Sequence, residues 1–450
     1  MKDDVRTISP ELLEIDASVA DDAAVKRPLY PWYVLAVLLL IYGIQMLDRQ
    51  VVAILLEPIR HEFGLDDKQL GLLGSLSFAL AYAVTCVPLG IAADRIARKH
   101  LLSAVLVVWS LFTAVSGLAH SFWQLLLARI VVGGAESGNN PAAMSLLADY
   151  FGPRNRATAV GIYFLGSSLG LFGGFLIGGT IAPVYGWRAA LLVAGVPGLI
   201  LAALLLLTVR EPQRGALDSV DREQNAEMRS SLKDVLRWIW SQRSARLLVA
   251  TNISTSFTVA GFITWMASFL IRSHGMDAHA VGLSLGFGLG TAIAIGSVAG
   301  GMLADRVGRS KARFRTMLIG LCVLASVPVF ATALIVSDAR LAIGLLSIAC
   351  ALNAMQYGPT YSLLLTLVPS HMRATSNSVV FFLSNFVGYG VGPFVVGVLS
   401  DAMVHSFAGE SLRISLGTVL TLQVVAVMLA VVAGATVERD LVRVKYCASK

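Results

Sequence analysis

Long stretches of this chain carry no charge at all. Leu35 to Leu47, Leu101 to Ala119 and Phe381 to Ser400 lack Asp, Glu, Lys and Arg throughout. A helix needs about 20 consecutive apolar residues to cross a bilayer, and within the bilayer each backbone polar group must be satisfied inside the segment. Such stretches therefore fold as membrane-spanning helices. Spans are expected at 32–58, 70–93, 101–119, 122–150, 156–183, 188–209, 247–272, 281–304, 315–336, 341–368, 373–402 and 411–436. Only 14% of the residues are charged against 56% hydrophobic, whereas a soluble domain carries about 25% charged residues. The fold class is an all-α polytopic membrane protein with twelve transmembrane helices.

The spans group as six plus six. An N-terminal bundle is expected over 31–209 and a C-terminal bundle over 247–436, with a charged linker, 210–246, between them. The linker holds Arg210, Glu211, Arg214, Asp221, Arg222 and Glu223, and an amphipathic surface helix is expected around Leu232–Trp240. Residues 1–30 read as a disordered polar tail and 437–450 as a second tail. The first apolar run is long enough to stay as a span, so no cleaved signal is expected. Placing both termini in the cytoplasm puts 27 of the 35 Lys and Arg inside, six outside and two, Arg49 and Arg129, within spans. Positive charge is retained on the cytoplasmic side, so this orientation is the expected one, in the cell membrane. The net charge of +7 is then a topology signal, and no nucleic-acid partner is expected.

Several classes of chemistry lack their residues. Cys86, Cys322 and Cys350 lie in apolar blocks and Cys447 in the tail, without CxxC spacing. All seven histidines sit at block edges or in loops. No metal site, cofactor or hydrolase motif is expected, and there is no phosphate-binding GxxxxGK[ST] loop for ATP. The chain does not read as an enzyme; a proton gradient is the energy source expected. A receptor would usually carry a soluble output domain, and a channel would not need the duplication described next.

Gly90-Ile-Ala-Ala-Asp94-Arg95-Ile-Ala-Arg98 follows span 2, and Gly301-Met-Leu-Ala-Asp305-Arg306-Val-Gly308-Arg309 follows span 8. Arg156-Ala-Thr opens span 5 and Arg373-Ala-Thr opens span 11. The offsets are 211 and 217 residues, which argues for duplication of a six-helix unit. These loops and the six-plus-six order resemble the major facilitator superfamily over residues 31–436. That family is built of two six-helix halves around a site near the bilayer midplane. The resemblance implies alternating access, and it implies a latch in the two loops: Asp94, Arg95 and Arg98 in one, Asp305, Arg306 and Arg309 in the other, with Asp149 in the same cytoplasmic network. Ala97 stands where glycine is usual.

The residues that most need explaining are the charges inside spans. Asp48 lies ten residues from the outer end of span 1, so about 15 Å deep, where a charge costs at least ~2.5–3.5 kcal/mol. Arg129 and Glu136 lie two turns apart on one face of span 4 and bracket Asp48-Arg49 in depth. Spans 1 and 4 facing each other would gather two carboxylates and two guanidiniums. Tyr42 and Gln45 extend the face of Arg49, and Asn140 follows Glu136. A structural ion-pair network would use such residues. So would a transporter, with Asp48 and Glu136 taking protons and Arg49 and Arg129 binding an anion. On this reading, protonating Glu136 releases Arg129 for the substrate, with Tyr42, Gln45 and Asn140 beside it. The second half carries Asn252, Trp265, Asn353, Gln356 and Tyr357 instead. Asn353, Gln356 and Tyr357 are candidates for reading substrate shape, or simply interhelical hydrogen bonds.

Asp48-Arg49-Gln50, Glu57-Pro58, Phe63-Gly64-Leu65, Arg129-x-x-x-Gly133-x-x-Glu136-x-x-x-x-Pro141 and Asp149-Tyr150 before Arg154 are similar to spinster-type transporters. That resemblance implies proton-coupling and gating roles for Asp48, Arg49, Arg129 and Glu136, and an anionic lysolipid-like substrate. Anion:cation symporters of sugar acids share the pattern, so an organic-anion symporter is the alternative. Ser137 departs from the alanine common there. A monomer in contact with membrane lipids is expected.

Overall fold

The structure, a computed structural model, describes residues 29–213, 232–307, 312–369, 372–407 and 409–448. Residues 1–28, the 214–231 part of the linker, Arg309, and the side chains of Arg154 and Asp305 lie outside that description.

Every described element is helical. Span 1 is Tyr30–Phe63, span 2 Asp67–Arg95, span 3 Arg98–Ser116, and span 4 the pair Phe122–Glu136 and Asn139–Tyr150. Spans 5 and 6 form one run, Pro153–Thr208, turned back at Gly186 (φ 83°). A surface helix, Leu232–Ser241, precedes span 7, Arg243–His274. Span 8 is Ala278–Val307, span 9 Ala312–Ile335, and span 10 the pair Ala339–Ala354 and Tyr357–Thr366. Span 11 runs Arg373–Leu383, Ser384–Val391 and Gly392–Met403; span 12 is Ser411–Ala448. Among the described residues, ten segments are singly long and apolar enough to cross a bilayer. The run through Gly186 crosses twice and the two halves of span 4 cross together, which makes twelve.

The helices overrun the apolar stretches. Span 1 continues past residue 58 through Arg60 and His61 until Gly64, at φ 62°, ends it with its N–H on Arg60 O. Hydropathy marks where lipid ends, whereas the hydrogen-bond ladder runs on until a residue can turn left-handed. Span 12 likewise extends to Ala448 rather than residue 436.

Spans 4 and 10, expected to be continuous, are each broken at mid-depth. Pro141 and Pro359 have no N–H to give the carbonyl four residues back, and their rings crowd it. The helices part at 137–138 and 355–356. Pro141 and Pro359 are repeat-related, so the break is a duplicated feature. Freed carbonyls find other partners: Gln45 Nε2 donates to Glu136 O at 3.1 Å and Thr85 Oγ1 to Gly134 O at 2.9 Å. Spans 2 and 11 contain matching π-helical turns, Leu72–Leu76 and Ser384–Val391. Such turns put one more residue into the helix and mark functional positions elsewhere.

Packing is duplicated too. Spans 1 and 5, 2 and 4, 3 and 6 pair in the first half as 7 and 11, 8 and 10, 9 and 12 do in the second. Close approach of spans 1 and 5 requires glycine: a Cβ on Gly170 would stand 2.2 Å from Gly43 O. The halves meet through spans 2 with 11 and 5 with 8. A Cβ on Gly397 would lie 2.3 Å from Asp67 O, and one on Gly179 2.6 Å from Gly282 Cα.

Candidate functional site

The start of span 1 and the end of span 12 lie on one face of the bundle, here the terminal face. The break in span 4 puts Glu136 at the end of a helix piece, opposite the middle of span 1. Arg49 Nε donates to Glu136 Oε2 at 3.1 Å. Asp48 points the other way, into the bundle, where Thr113 Oγ1 of span 3 donates to its Oδ2 at 3.0 Å. Arg129, Asp48 and Glu136 are buried, while Arg49 keeps 21% of its side chain exposed. Phe78 of span 2 lies between the arginines, its ring centroid 4.4 Å from Arg49 Cζ and 5.6 Å from Arg129 Cζ. Among the described residues, Arg129 Nε and Nη1, Asp48 Oδ1 and Glu136 Oε1 have no hydrogen-bond partner.

The four charges expected at similar depth are thus together, but the pairing differs from the expected one. Glu136 is held by Arg49, and Arg129 makes no hydrogen bond to it. Two helical turns put residues 129 and 136 on one face; they do not bring their side-chain tips together.

A cavity of about 420 Å³ lies between the halves, with Arg49 and Arg129 in its wall. Spans 1, 2, 4, 7 and 11 line it. Phe78, Tyr82 and Cys86 form one face of span 2, and Phe382, Phe386 and Tyr389 face it from span 11. Ser137 and Asn140 also reach it. Tyr42 and Gln45 do not: Tyr42 stacks on Tyr163 with centroids 4.7 Å apart, and Gln45 accepts from Asn139 Nδ2 at 2.6 Å. Asn353, Gln356 and Tyr357 do not line it either. Asn353 donates to Ser326 Oγ at 3.5 Å and Gln356 to Thr255 Oγ1 at 3.2 Å, which ties spans 7, 9 and 10 together. The aromatic walls were missed in the sequence, although Phe78, Tyr82 and Cys86 recur at four-residue spacing.

At the terminal face Arg98 pairs with Asp149 and with Glu211, the latter at 2.8 Å. Lys99 N also donates to Glu211 Oε2 at 2.9 Å. Burial raises the Glu211 carboxyl, but the Lys99 N–H and the Arg98 guanidinium outweigh it and hold the group below its usual range. Arg98, Lys99 and Asp149 belong to the first half and Glu211 to the linker as it leaves that half, so none of these bonds joins the two halves. Asp94, Arg95 and Arg306 are exposed at their helix ends. Ala97 sits at φ −55°, which any residue adopts, so this turn needs no glycine.

Among the described residues, a cluster of charged contacts between the halves lies on the other face. Arg272 of span 7 reaches Glu57 Oε1 at 2.6 Å and grips Asp67 with two bonds of 2.8 Å. Asp401 of span 11 accepts from Asp67 N at 3.0 Å and Lys68 N at 2.7 Å, the start of span 2. Ser400 donates to Asp67 Oδ2 at 2.7 Å. The molecule is closed at this face.

This arrangement agrees with what the chain is similar to. An "MFS-type efflux pump" of Mycolicibacterium smegmatis is 29% identical over 433 residues, 95% of this chain and 97% of that protein. A "Hexuronate transporter" of Bacillus subtilis is 26% identical, over 82% of this chain and 87% of its own. The crystal structure of a bacterial homologue of the human lysosomal transporter Spinster, inward-facing and unoccupied, superposes with a TM-score of 0.83 at 28% identity, covering 92% of this chain and 98% of that one. Residues 38–393 match the family profile of the Major Facilitator Superfamily. With its two six-helix halves and this family match, the chain is a membrane transporter and belongs to the Major Facilitator Superfamily.

Proposed function

We propose that the chain is a proton-coupled secondary transporter of an amphipathic organic anion. One observation carries the substrate class: a buried guanidinium, Arg129, with two of its nitrogens, Nε and Nη1, unpaired, in the wall of a cavity whose other walls are mainly aromatic and aliphatic. The guanidinium suits a phosphate or carboxylate. Phe78, Phe382 and Phe386 suit a hydrocarbon tail. The lysine and arginine distribution supports a cytoplasmic terminal face, and the ion pairs that close the opposite face then make this an inward-facing state.

Coupling follows from the Arg49–Glu136 pair. Protonating Glu136 removes the charge that holds Arg49, and Arg49 then joins Arg129 in gripping the anion. Proton and substrate favour each other through one site. Asp48, deeper and held by Thr113, is the second proton acceptor.

Binding of lysophosphatidic acid and of glucuronate to the purified protein tests the reading. Lysophosphatidic acid binds, and Arg129→Ala weakens it roughly ten- to a hundredfold, as loss of charge-assisted hydrogen bonds worth about 1.5–3 kcal/mol requires. Binding of glucuronate alone would replace this reading with sugar-acid symport, which the similarity to a hexuronate transporter favours.

A further inference from the structure

The surface helix Leu232–Ser241 has two apolar sides. Val235 and Ile239 are buried against Leu248, Leu363, Leu367 and Val380 of the second half. Trp238 Nε1 donates to Leu367 O, at the end of span 10, at 3.1 Å. The second side is bare: Leu232, Leu236 and Trp240, spaced by four, are 55%, 45% and 72% exposed. Soluble proteins seldom leave such a stripe to water.

Guanidiniums surround it. Arg237 is 81% exposed, with Asp234 at 3.5 Å taking part of its charge. Arg243 is exposed at the start of span 7, and Arg246 lies 5.5 Å from the Trp240 ring. A helix with an apolar stripe flanked by arginines lies in the interface of a bilayer and draws anionic headgroups.

We propose that this helix docks onto anionic phospholipid of the leaflet at the terminal face, and that the docking steadies the mouth of the transport cavity. The apolar stripe enters the acyl boundary while Arg237, Arg243 and Arg246 hold phosphates. The link to the mouth is direct. The helix packs on Arg373–Leu383 of span 11, and Ser378, Phe381 and Phe382 of that segment line the cavity. Lipid composition thus acts on the half of the molecule that carries no intramembrane charge cluster.

A spin label at Leu236 of the full-length protein, in nanodiscs, tests this. Relative collision rates with oxygen and a water-soluble nickel chelate report depth. With phosphatidylglycerol present the label reads within the acyl boundary. In pure phosphatidylcholine it shifts toward water. Arg237→Gln, Arg243→Gln and Arg246→Gln together remove the difference while leaving the protein folded by size exclusion. A label in water in both lipids overturns the docking. Equal depth in both overturns the anionic preference. The measurement needs no transported substrate, so it fails or succeeds apart from the proposed function.

Discussion

Arg49 and Glu136 form a pair in which one partner is fully buried. Removing a partner from a buried pair strands the other charge, at about 3–5 kcal/mol. Glu136→Gln avoids that by keeping shape and hydrogen bonding while fixing the neutral form. In proteoliposomes this variant loses uptake driven by a pH gradient but keeps substrate exchange; unaltered gradient-driven uptake would remove Glu136 from the coupling. Glu211 supplies a contrast at the terminal face. Its folded carboxyl titrates below the unfolded one, so its contribution to stability is present above the unfolded value, about 4.3, and is lost as pH falls through the folded value. Glu211→Gln therefore lowers the melting temperature at neutral pH, and its gap from wild type closes only below about pH 4, as paired thermal scans would record. Of these residues, the intramembrane four were legible because charge inside an apolar block is expensive. Thr113 as the partner of Asp48 was not, since a hydroxyl in an apolar helix gives no hint of direction.

Helices respond to residues that neither hydropathy nor charge displays. Pro141 sits within an apolar span that reads as continuous, yet the helix parts just before it, and the Glu136 carbonyl at the end of the first piece accepts from Gln45. Pro141→Ala restores an N–H and improves intrinsic helix preference by about 3 kcal/mol. The variant is expected to melt no lower than wild type while binding of the anion falls. Equal binding would show that the break does not position Glu136. Glycines make the same point about packing. Gly161 and Gly170 both lie in span 5, and sequence alone cannot rank them. A Cβ on Gly161 meets nothing within 4 Å, whereas one on Gly170 runs into Gly43 O. Gly161→Ala should hold or raise stability by up to about 1 kcal/mol, and Gly170→Ala should lower it by about 1–3 kcal/mol, measured as thermal unfolding in detergent.

Alternating access needs one face to open as the other closes, so the two faces must carry locks of comparable strength. Repeats and loop motifs drew attention to the terminal face, where Arg98, Asp149 and Glu211 brace the first half against the start of the linker. Among the described residues, ion pairs that join the halves lie opposite, where Arg272 meets Glu57 and Asp67, residues without a repeated motif. Glu57 and Asp67 are 4% and 2% exposed, so Arg272→Ala leaves two buried carboxylates with only the longer contacts to Arg60, at 4.0 and 3.9 Å, to offset them. Opening that face rehydrates them, and the equilibrium moves toward the form open at that face by up to about 3–5 kcal/mol, enough to change the major state. Spin labels at His61 and His405, exposed on different halves beside the lock, read the change by double electron–electron resonance. Wild type gives one short distance; Arg272→Ala adds a longer one. Because Arg272 grips Asp67 with two bonds, exchanging the charges in Arg272→Asp with Asp67→Arg restores much of the short distance, whereas Asp67→Arg alone does not. A distance distribution indifferent to all three variants would mean that glycine contacts between spans 2 and 11 close this face without the charges.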